Sequence, residues 1–456
     1  MPDPVKLQEI DQHIVEHLDD SLHDLSVLCR QPSIVAQNYG IQECAELLAG
    51  LLEARGFSVQ ILPSGGSPVV VADAPGRSSK TMLLYNHYDV QPAEPLDLWT
   101  TPPFEPDIRD GRFFARGATD DKGHILCRLA ALDAFKNIDG EYPCHIKFIV
   151  EGEEEIGSVH LPNFIEQNKA ILRGDACLWE FGSVDYEDRP ELYLGMRGIC
   201  YVELRVKTAK LDAHSGMAGN IFPNAAWRLV WALNTLKDQD ERILIPGFYD
   251  AVLPPSERDL ALLAALPSEE EQIKRAYGVS SFLKGLTGAE LRREQVFLPT
   301  CTICGITSGY QGPGSKTVLP AEASAKIDFR LVPNQDPVDI VAKLRKHLDA
   351  QGFSDITIHL HGGGKPARVN PDDPFIAICA EAAEEVYGKP VKVAPMVGGS
   401  GPMYPFVHVL NVPIGGAGVG YPGGRAHAPD ENFRLDDFVK GAQHTARILA
   451  RFSEMS

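Results

Sequence analysis

The chain has 456 residues, of which 44% are hydrophobic and 23% charged, a balance typical of globular proteins. This length exceeds what one hydrophobic core usually organises, so we expect at least two domains. The formal net charge of -19 argues against nucleic acid or an anionic membrane as the main partner.

The N-terminus and the cysteines indicate where the protein works. The first residues lack the basic and apolar regions of a signal peptide, and no apolar run approaches the ~20 residues of a membrane-spanning helix. The nine cysteines are odd in number and scattered, mostly in apolar segments, which favours reduced core thiols. We therefore predict a cytoplasmic protein that binds neither nucleic acid nor membranes.

Hydrophobic periodicity predicts strand–helix alternation at both ends of the chain. Near the N-terminus we expect helices over 7–30, 40–55, 122–132 and 160–172, and strands over 57–62, 68–73, 81–86, 144–150 and 176–180. The middle region is predicted to hold strands over 200–207, 322–331 and 354–360, and helices over 223–237 and 336–350. Towards the C-terminus we expect helices over 373–387, 401–408 and 434–452, and strands over 391–394 and 409–415. Residues 240–300 are interrupted by prolines and fit no predicted element.

These patterns favour an α/β fold with a mixed sheet and an inserted, smaller α+β domain. The discontinuous first domain is predicted over 1–197 and 367–456, and the inserted domain over 198–366.

Polar residues follow the apolar segments at five places. Where buried strands end, open α/β sheets build their functional sites. The side chains at these places are His87 with Asp89, Asp120, Glu154 with Glu155, Glu180, and His427.

Each cluster alone has a simpler explanation. Asp120 could cap the following helix, the run Glu153 to Glu155 could be a solvated charge cluster, and His427 could be an ordinary surface histidine. Together the five clusters supply two histidines and several carboxylates but no thiolate. This ligand set suits hydrolytic Zn²⁺, Mn²⁺ or Co²⁺. A site with two metals also needs a carboxylate that bridges them.

Five segments carry a resemblance to a known family. They are residues 83–90, 116–123, 151–158, 213–216 and 330–333. In this order they resemble the motifs of the dinuclear metallopeptidases, the family of aminoacylase, acetylornithine deacetylase, succinyl-diaminopimelate desuccinylase, glutamate carboxypeptidase and carnosine dipeptidase. The chain is most similar to the cytosolic dipeptidase branch.

The resemblance implies a zinc-peptidase-like catalytic domain that holds two divalent ions. Zinc is the expected metal, with manganese or cobalt as alternatives. His87 and Glu180 would bind one ion and Glu155 and His427 the other, while Asp120 would bridge them.

Two neighbouring residues would assist this site. Asp89 would orient His87, and Glu154 would act as the general base on the attacking water. These assignments depend on the register of the acidic run, since Glu153 could be shifted into the place of Glu154.

The inserted domain would serve as lid and dimerisation domain. His214 would reach the partner subunit's site in a homodimer and stabilise the oxyanion. Arg330 would grip the terminal carboxylate of a peptide, although it could instead pair with Asp328 across the sheet. Ser400 and Thr317 match positions that touch substrate.

The expected reaction is hydrolysis of the amide bond in dipeptides or short peptides with a free terminal carboxylate. An N-acyl- or N-carbamoyl-amino-acid amidohydrolase of the same family is the first alternative. A binding protein that keeps the fold without activity is the second.

Overall fold

The structure is a computed structural model that describes residues 4–455. The chain forms two compact units. Within the described residues, unit 1 comprises residues 4–194, 369–395 and 402–455, and unit 2 comprises residues 195–368 and 396–401. In the described part of the chain, no helix is both long and apolar enough to cross a membrane. All nine cysteines are free thiols, and all but Cys304 are buried.

Unit 1 begins with five helices and nine strands. The helices are α1 Pro4–Glu16, α2 Leu18–Arg30, α3 Ile41–Glu53, α4 Lys122–Asp139 and α5 Leu161–Asn168. The strands are β1 Ser58–Leu62, β2 Val69–Ala74, β3 Gly76–His87, β4 Asp107–Arg109, β5 Arg112–Phe114, β6 Tyr142–Glu151, β7 Ala176–Trp179, β8 Ser183–Val184 and β9 Pro190–Tyr193.

Unit 2 follows with short and long strands and six helices. The strands are β10 Gly195–Met196, β11 Gly198–Lys207, β12 Ala213–His214, β13 Thr302–Ser308, β14 Val318–Leu319, β15 Glu322–Leu331, β16 Thr357–Gly364 and β17 Ala367–Arg368. The helices are α6 Ser215–Ala218, α7 Ala225–Leu233, α8 Glu257–Ala265, α9 Glu270–Tyr277, α10 Gly288–Phe297 and α11 Pro337–Ala350.

The chain then returns to unit 1. The remaining elements are α12 Pro374–Tyr387, β18 Lys392–Ala394, α13 Met403–His408, β19 Ile414–Gly416, β20 Asn432–Arg434 and α14 Leu435–Glu454. Helices α11 and α12 start alike, because Asp336 and Asp373 each cap a free backbone N–H while proline occupies the first turn.

The core of unit 1 is a six-stranded mixed sheet in the order β1-β2-β6-β3-β7-β19. Strands β6, β3, β7 and β19 run parallel, whereas β1 and β2 pair in the antiparallel sense. Helices α4 and α14 pack against β3 and β6, α3 against β1 and β2, and α12 against β19. This sheet with its helices confirms the predicted α/β class.

Unit 2 is built on an antiparallel sheet in the order β13-β15-β11-β16. Strands β11 and β15 alternate buried and more exposed residues, as a sheet with one covered face requires. The buried face packs on apolar residues of α7 and α11, including Leu229, Ile340 and Leu344.

Several element predictions are wrong in detail. The helix predicted over 7–30 is two helices that meet at His17, and the strand predicted over 409–415 begins only at Ile414. The prediction also placed residues 396–401 in the first domain, whereas they belong to unit 2. They do so because the Arg197 N–H donates to the Gly399 carbonyl at 2.9 Å and Val397 pairs with Met196.

Candidate metal centre

Three parallel strands of unit 1 deliver polar residues to the same edge of the sheet. Strand β3 ends at His87, β6 is followed by Glu154 and Glu155, and β7 is followed by Glu180. Neighbouring parallel strands end at one edge, so these side chains are brought together although they lie far apart in sequence.

Asp120 lies between two histidines. Its Oδ1 is 3.0 Å from His87 Nε2, and its Oδ2 is 2.9 Å from His427 Nε2. The same nitrogen of His427 lies 3.1 Å from Glu155 Oε2. One ligand atom from each of Asp120, Glu155 and His427 can be chosen so that all lie within 4.8 Å of one another. One carboxylate that turns its two oxygens to two different imidazoles is the arrangement a bridging ligand requires.

Glu180 supplies an independent sign that a cation belongs here. It is 1% exposed, and its Oε2 has no hydrogen-bond partner among the described residues. Burial and the nearby charge of Glu154 raise the pKa of Glu180 well above its usual range. A buried carboxylate oxygen without a partner is costly unless a cation neutralises it, so the residues fit a site for hard or borderline divalent metals.

Asp89 fixes the orientation of several of these groups. His87 Nδ1 lies 3.0 Å from the Asp89 carbonyl and 3.4 Å from its Oδ1. The Asp89 carboxylate also accepts the backbone N–H groups of Glu154 and Glu155, at 3.3 and 3.0 Å. Asp89 therefore contacts both His87, at the end of β3, and the backbone that follows β6. The contact with the backbone after β6 is not evident from the sequence.

The three consecutive glutamates face different ways. The Glu153 carboxylate accepts the Ser67 N–H at 2.9 Å and contacts His160 Nδ1 at 2.7 Å, so it is occupied elsewhere. Glu155 contacts His427, which leaves Glu154 as the half-buried carboxylate beside the cluster. Burial raises the pKa of Glu154 to about 7, and the charges of Asp120 and Glu155 act in the same direction.

Hydrogen bonds to carboxylates raise the pKa of both histidines in the cluster. Burial opposes protonation of His87, but hydrogen bonds to Asp120 and Asp89 outweigh it and raise its pKa well above the usual value. Hydrogen bonds to Asp120 and Glu155 raise the pKa of His427 to about 10. Metal binding must therefore displace protons from this site.

Sequence reasoning missed a buried network beneath the ligands. Asp121 accepts the Asn86 amide at 2.6 Å and the His87 backbone N–H at 3.1 Å. Arg128 donates to the carbonyls of Tyr85 and Trp179, at the ends of β3 and β7. Arg128 is fully buried in α4. The sequence offers one signal for this network, a charged residue on a helix whose other positions predict burial.

The predicted substrate residues and the predicted oxyanion donor His214 lie in unit 2, in two pairs. Arg330 Nη1 donates to Ser400 Oγ at 2.8 Å, and Arg330 Nε contacts Asp328 Oδ2 at 3.0 Å. An ion pair with Asp328 is therefore present together with the Ser400 contact, but it lies within β15 and does not cross the sheet.

The second pair is His214 and Thr317. Both are exposed, and they are neighbours because β12 pairs with β14 and the Ser215 N–H donates to the Thr317 carbonyl at 3.2 Å.

The segment 240–300, which the sequence left unassigned, forms α8, α9 and α10. Part of it lines a cavity of about 1170 Å³ together with residues of α7 and β13. None of the predicted site residues lines this cavity.

Comparisons with known proteins agree on one family. Residues 83–451 match the model described as "Peptidase family M20/M25/M40". The chain is 31% identical to the Beta-Ala-His dipeptidase of Homo sapiens over 419 residues, 85% of this chain and 81% of that protein. It is also 31% identical to a Cys-Gly metallodipeptidase of Schizosaccharomyces pombe, over 80% of this chain and 78% of that one. A solved M20 family metallo-carboxypeptidase from Sulfolobus solfataricus superposes with a TM-score of 0.90 at 37% identity, over 95% of this chain and 99% of that one.

Proposed function

The chain belongs to peptidase family M20/M25/M40, and from this premise we propose that it is a metal-dependent dipeptidase. Its substrates would be dipeptides or short peptides with a free C-terminal carboxylate. Family membership confirms the resemblance drawn from the sequence motifs and makes the chain a peptidase. The observation that carries the proposal is the Asp120 carboxylate, whose two oxygens face His87 and His427.

The proposed metal site takes its ligands from unit 1. His87 and Glu180 would hold one ion, Glu155 and His427 the other, and Asp120 both. Imidazole and carboxylate ligands favour zinc, with manganese or cobalt as alternatives. When bound, such ions supply Lewis-acid chemistry, lowering the pKa of a water and polarising a carbonyl.

Glu154 is the proposed general base. Its carboxylate is half-buried beside the candidate ligands and can accept a proton from water and return it. It would take the proton of the attacking water and deliver it to the nitrogen of the leaving amine. Asp89 supports this role, because its carboxylate fixes the backbone of Glu154.

Unit 2 would contribute the groups that recognise substrate. The guanidinium of Arg330, aligned by Ser400, suits bidentate binding of a terminal carboxylate, and Thr317 would add a hydroxyl contact.

His214 would donate to the developing oxyanion in the partner subunit of a homodimer. The Gly216 N–H donates to its Nδ1 at 3.1 Å, so the neutral ring carries its hydrogen on Nε2, where it is available as a donor.

Mixing two inactive variants tests the homodimer. His214→Ala and Glu154→Gln subunits, each inactive alone, would form hybrids in which one site has both an intact base and an intact donor. Recovered activity in the mixture supports donation from the partner. Full activity of a monomer, or no recovery although hybrids form, would overturn it.

A substrate panel tests the function itself. Beta-Ala-His, Cys-Gly and other dipeptides, longer peptides, N-acyl and N-carbamoyl amino acids would be assayed with the zinc-, manganese- and cobalt-loaded protein. We expect dipeptides to be hydrolysed fastest, with activity lost on chelation and restored by metal. Faster turnover of acyl or carbamoyl substrates would favour the amidohydrolase alternative. A site that stays empty when metal is supplied at neutral pH, with no hydrolysis of any amide, would favour a binding protein. A cytoplasmic location stays a prediction.

A further inference from the structure

A buried ion pair lies close to the candidate metal centre and has no part in the chemistry described so far. Glu431 is 0% exposed and Arg116 is 1% exposed. Arg116 Nη1 donates to Glu431 Oε2 at 2.7 Å. Neither residue is a candidate metal ligand, so the reason for burying two charges here must be sought in what else they contact.

The Glu431 carboxylate accepts a row of backbone N–H groups. Its Oε2 accepts the Gly117 N–H at 2.9 Å, and its Oε1 accepts the N–H groups of Thr119 and Asp120 at 2.9 and 3.0 Å. One side chain thus fixes the backbone that leads into Asp120. A side-chain amide could not make all of these bonds, because the donors face two acceptor oxygens and an amide has one.

The same pair joins the segments that carry the other ligands. Glu431 lies four residues after His427, and its carbonyl accepts the Ala115 N–H at 3.2 Å. Arg116 Nη2 donates to the Pro92 carbonyl at 3.1 Å, in the loop that follows Asp89. The loops after His87, before Asp120 and after His427 therefore meet at one ion pair.

We propose that Glu431, held by Arg116, is a positioning residue for the bridging carboxylate of Asp120. This inference rests on the proposed metal site. A buried ion pair in general adds little net stability, so its use here is better explained by the geometry that it imposes. By fixing the Asp120 backbone, Glu431 keeps both oxygens of that carboxylate directed to the two histidines.

The test compares Glu431→Gln with a matched control, Asp437→Asn. Asp437 is also a buried carboxylate of unit 1 bound by an arginine, Arg434, and its hydrogen bonds reach none of the candidate ligands. In Glu431→Gln, an amide NH₂ would replace one acceptor oxygen and face N–H donors. Zinc affinity would be measured by competition with a chromophoric chelator, and the site geometry by the visible spectrum of the cobalt-loaded protein.

We expect Glu431→Gln to lose about 10–100-fold in zinc affinity, the usual effect of removing a group that orients ligands. Its cobalt spectrum should change and kcat should fall, while KM stays near that of the wild type. Asp437→Asn should keep the wild-type zinc affinity and spectrum, even if both variants melt at lower temperature in the metal-free form.

Wild-type zinc affinity and an unchanged cobalt spectrum in Glu431→Gln would overturn the inference. If that variant does not fold, Arg116→Lys decides, since lysine keeps the charge but lacks the two separate nitrogens with which Arg116 binds Glu431 and the Pro92 carbonyl. A weaker, altered cobalt site supports the proposal, and an unchanged one contradicts it. If the wild-type protein itself binds no zinc or cobalt, it is the proposed function that fails.

Discussion

The two units differ in how they hold their candidate functional residues. In unit 1, His87, Asp120 and Glu180 are buried. His427 is exposed, but it and His87 each contact the Asp120 carboxylate within the unit. In unit 2, His214 is exposed and Arg330 is half-buried, each with few contacts.

This difference follows from what each group has to bind. Ligands for a cation must be fixed before it arrives, since misplacement by even a fraction of an ångström weakens coordination. Groups that recognise a substrate must stay accessible to it. We therefore expect metal affinity to be determined by unit 1 and substrate selectivity by unit 2.

The largest expected effect is that of Asp120→Asn. The amide keeps the shape but offers one acceptor oxygen instead of two, so at least one metal ion should be lost. Because metal ions contribute several kcal/mol of transition-state stabilisation, kcat/KM should fall by a factor of about 1000 or more. Metal analysis and steady-state kinetics check this. Two tightly bound ions in the variant would contradict the bridging role.

Glu154→Gln separates the base from the ligands within unit 1. We expect kcat to fall by about 100–10,000-fold while both metal ions are retained, since general-base catalysis is lost but coordination is not. Glu153→Gln is the matched control, because that carboxylate is bound by Ser67 and His160 instead. The account is wrong here if the two variants lose activity equally.

Arg330→Ala tests substrate recognition by unit 2. Loss of a charge-assisted bond should raise KM by about 10–100-fold, with metal content unchanged. Substrates with an amidated C-terminus should be insensitive to the change, because they lack the carboxylate. Arg205→Ala, which removes an exposed arginine paired with Glu203, should leave KM unaltered. An equal loss for amidated and free substrates would exclude carboxylate recognition by Arg330.

The smallest expected effect is on stability in acid. Burial lowers the pKa of His444 in unit 1 from 6.5 to about 4. As the pH falls, His444 of the unfolded chain therefore binds a proton before His444 of the folded chain does. The free energy of unfolding is highest above pH 6.5 and decreases as the pH falls towards 4. The loss is at most about 3 kcal/mol.

Hydrogen exchange followed by mass spectrometry, which resolves peptides from each unit, would measure this effect. In His444→Gln, the stability of unit 1 should decrease less steeply as the pH falls from 6.5 to 4. His347→Gln, at a buried histidine of unit 2, is the control and should leave unit 1 unchanged. An unaltered pH profile in His444→Gln would refute this assignment.

The positions of three candidate metal ligands, His87, Glu155 and Glu180, could be predicted because each lies at or just after the end of an apolar strand. The same expectation is wrong for Asp120, which directly precedes α4, and for His427, which lies in a loop well after β19. The end of β3 at His87 and the glutamates after β6 are visible as a change from apolar to polar residues. That parallel strands bring such ends together is a general property of the fold. The structure places Asp120, Glu155 and His427 side by side.

Other features left no such signal. Strand β13 was not predicted, because it is an edge strand whose residues are nearly all exposed and show no alternation. Glu431 and Arg128 act through backbone groups of distant segments, and a sequence does not reveal which carbonyl or N–H a side chain meets. Helices α8 to α10 were not predicted, because prolines and charged residues interrupt the short apolar stretches of this segment.

The central claim is that Asp120 is shared by two metal ions. Anomalous diffraction at the zinc edge, on crystals of the zinc-loaded protein, tests it directly. The account predicts two peaks about 3.5–4 Å apart, one beside His87 and Glu180 and the other beside Glu155 and His427, with an Asp120 oxygen on each. A single peak, or two peaks of which only one touches Asp120, would contradict it.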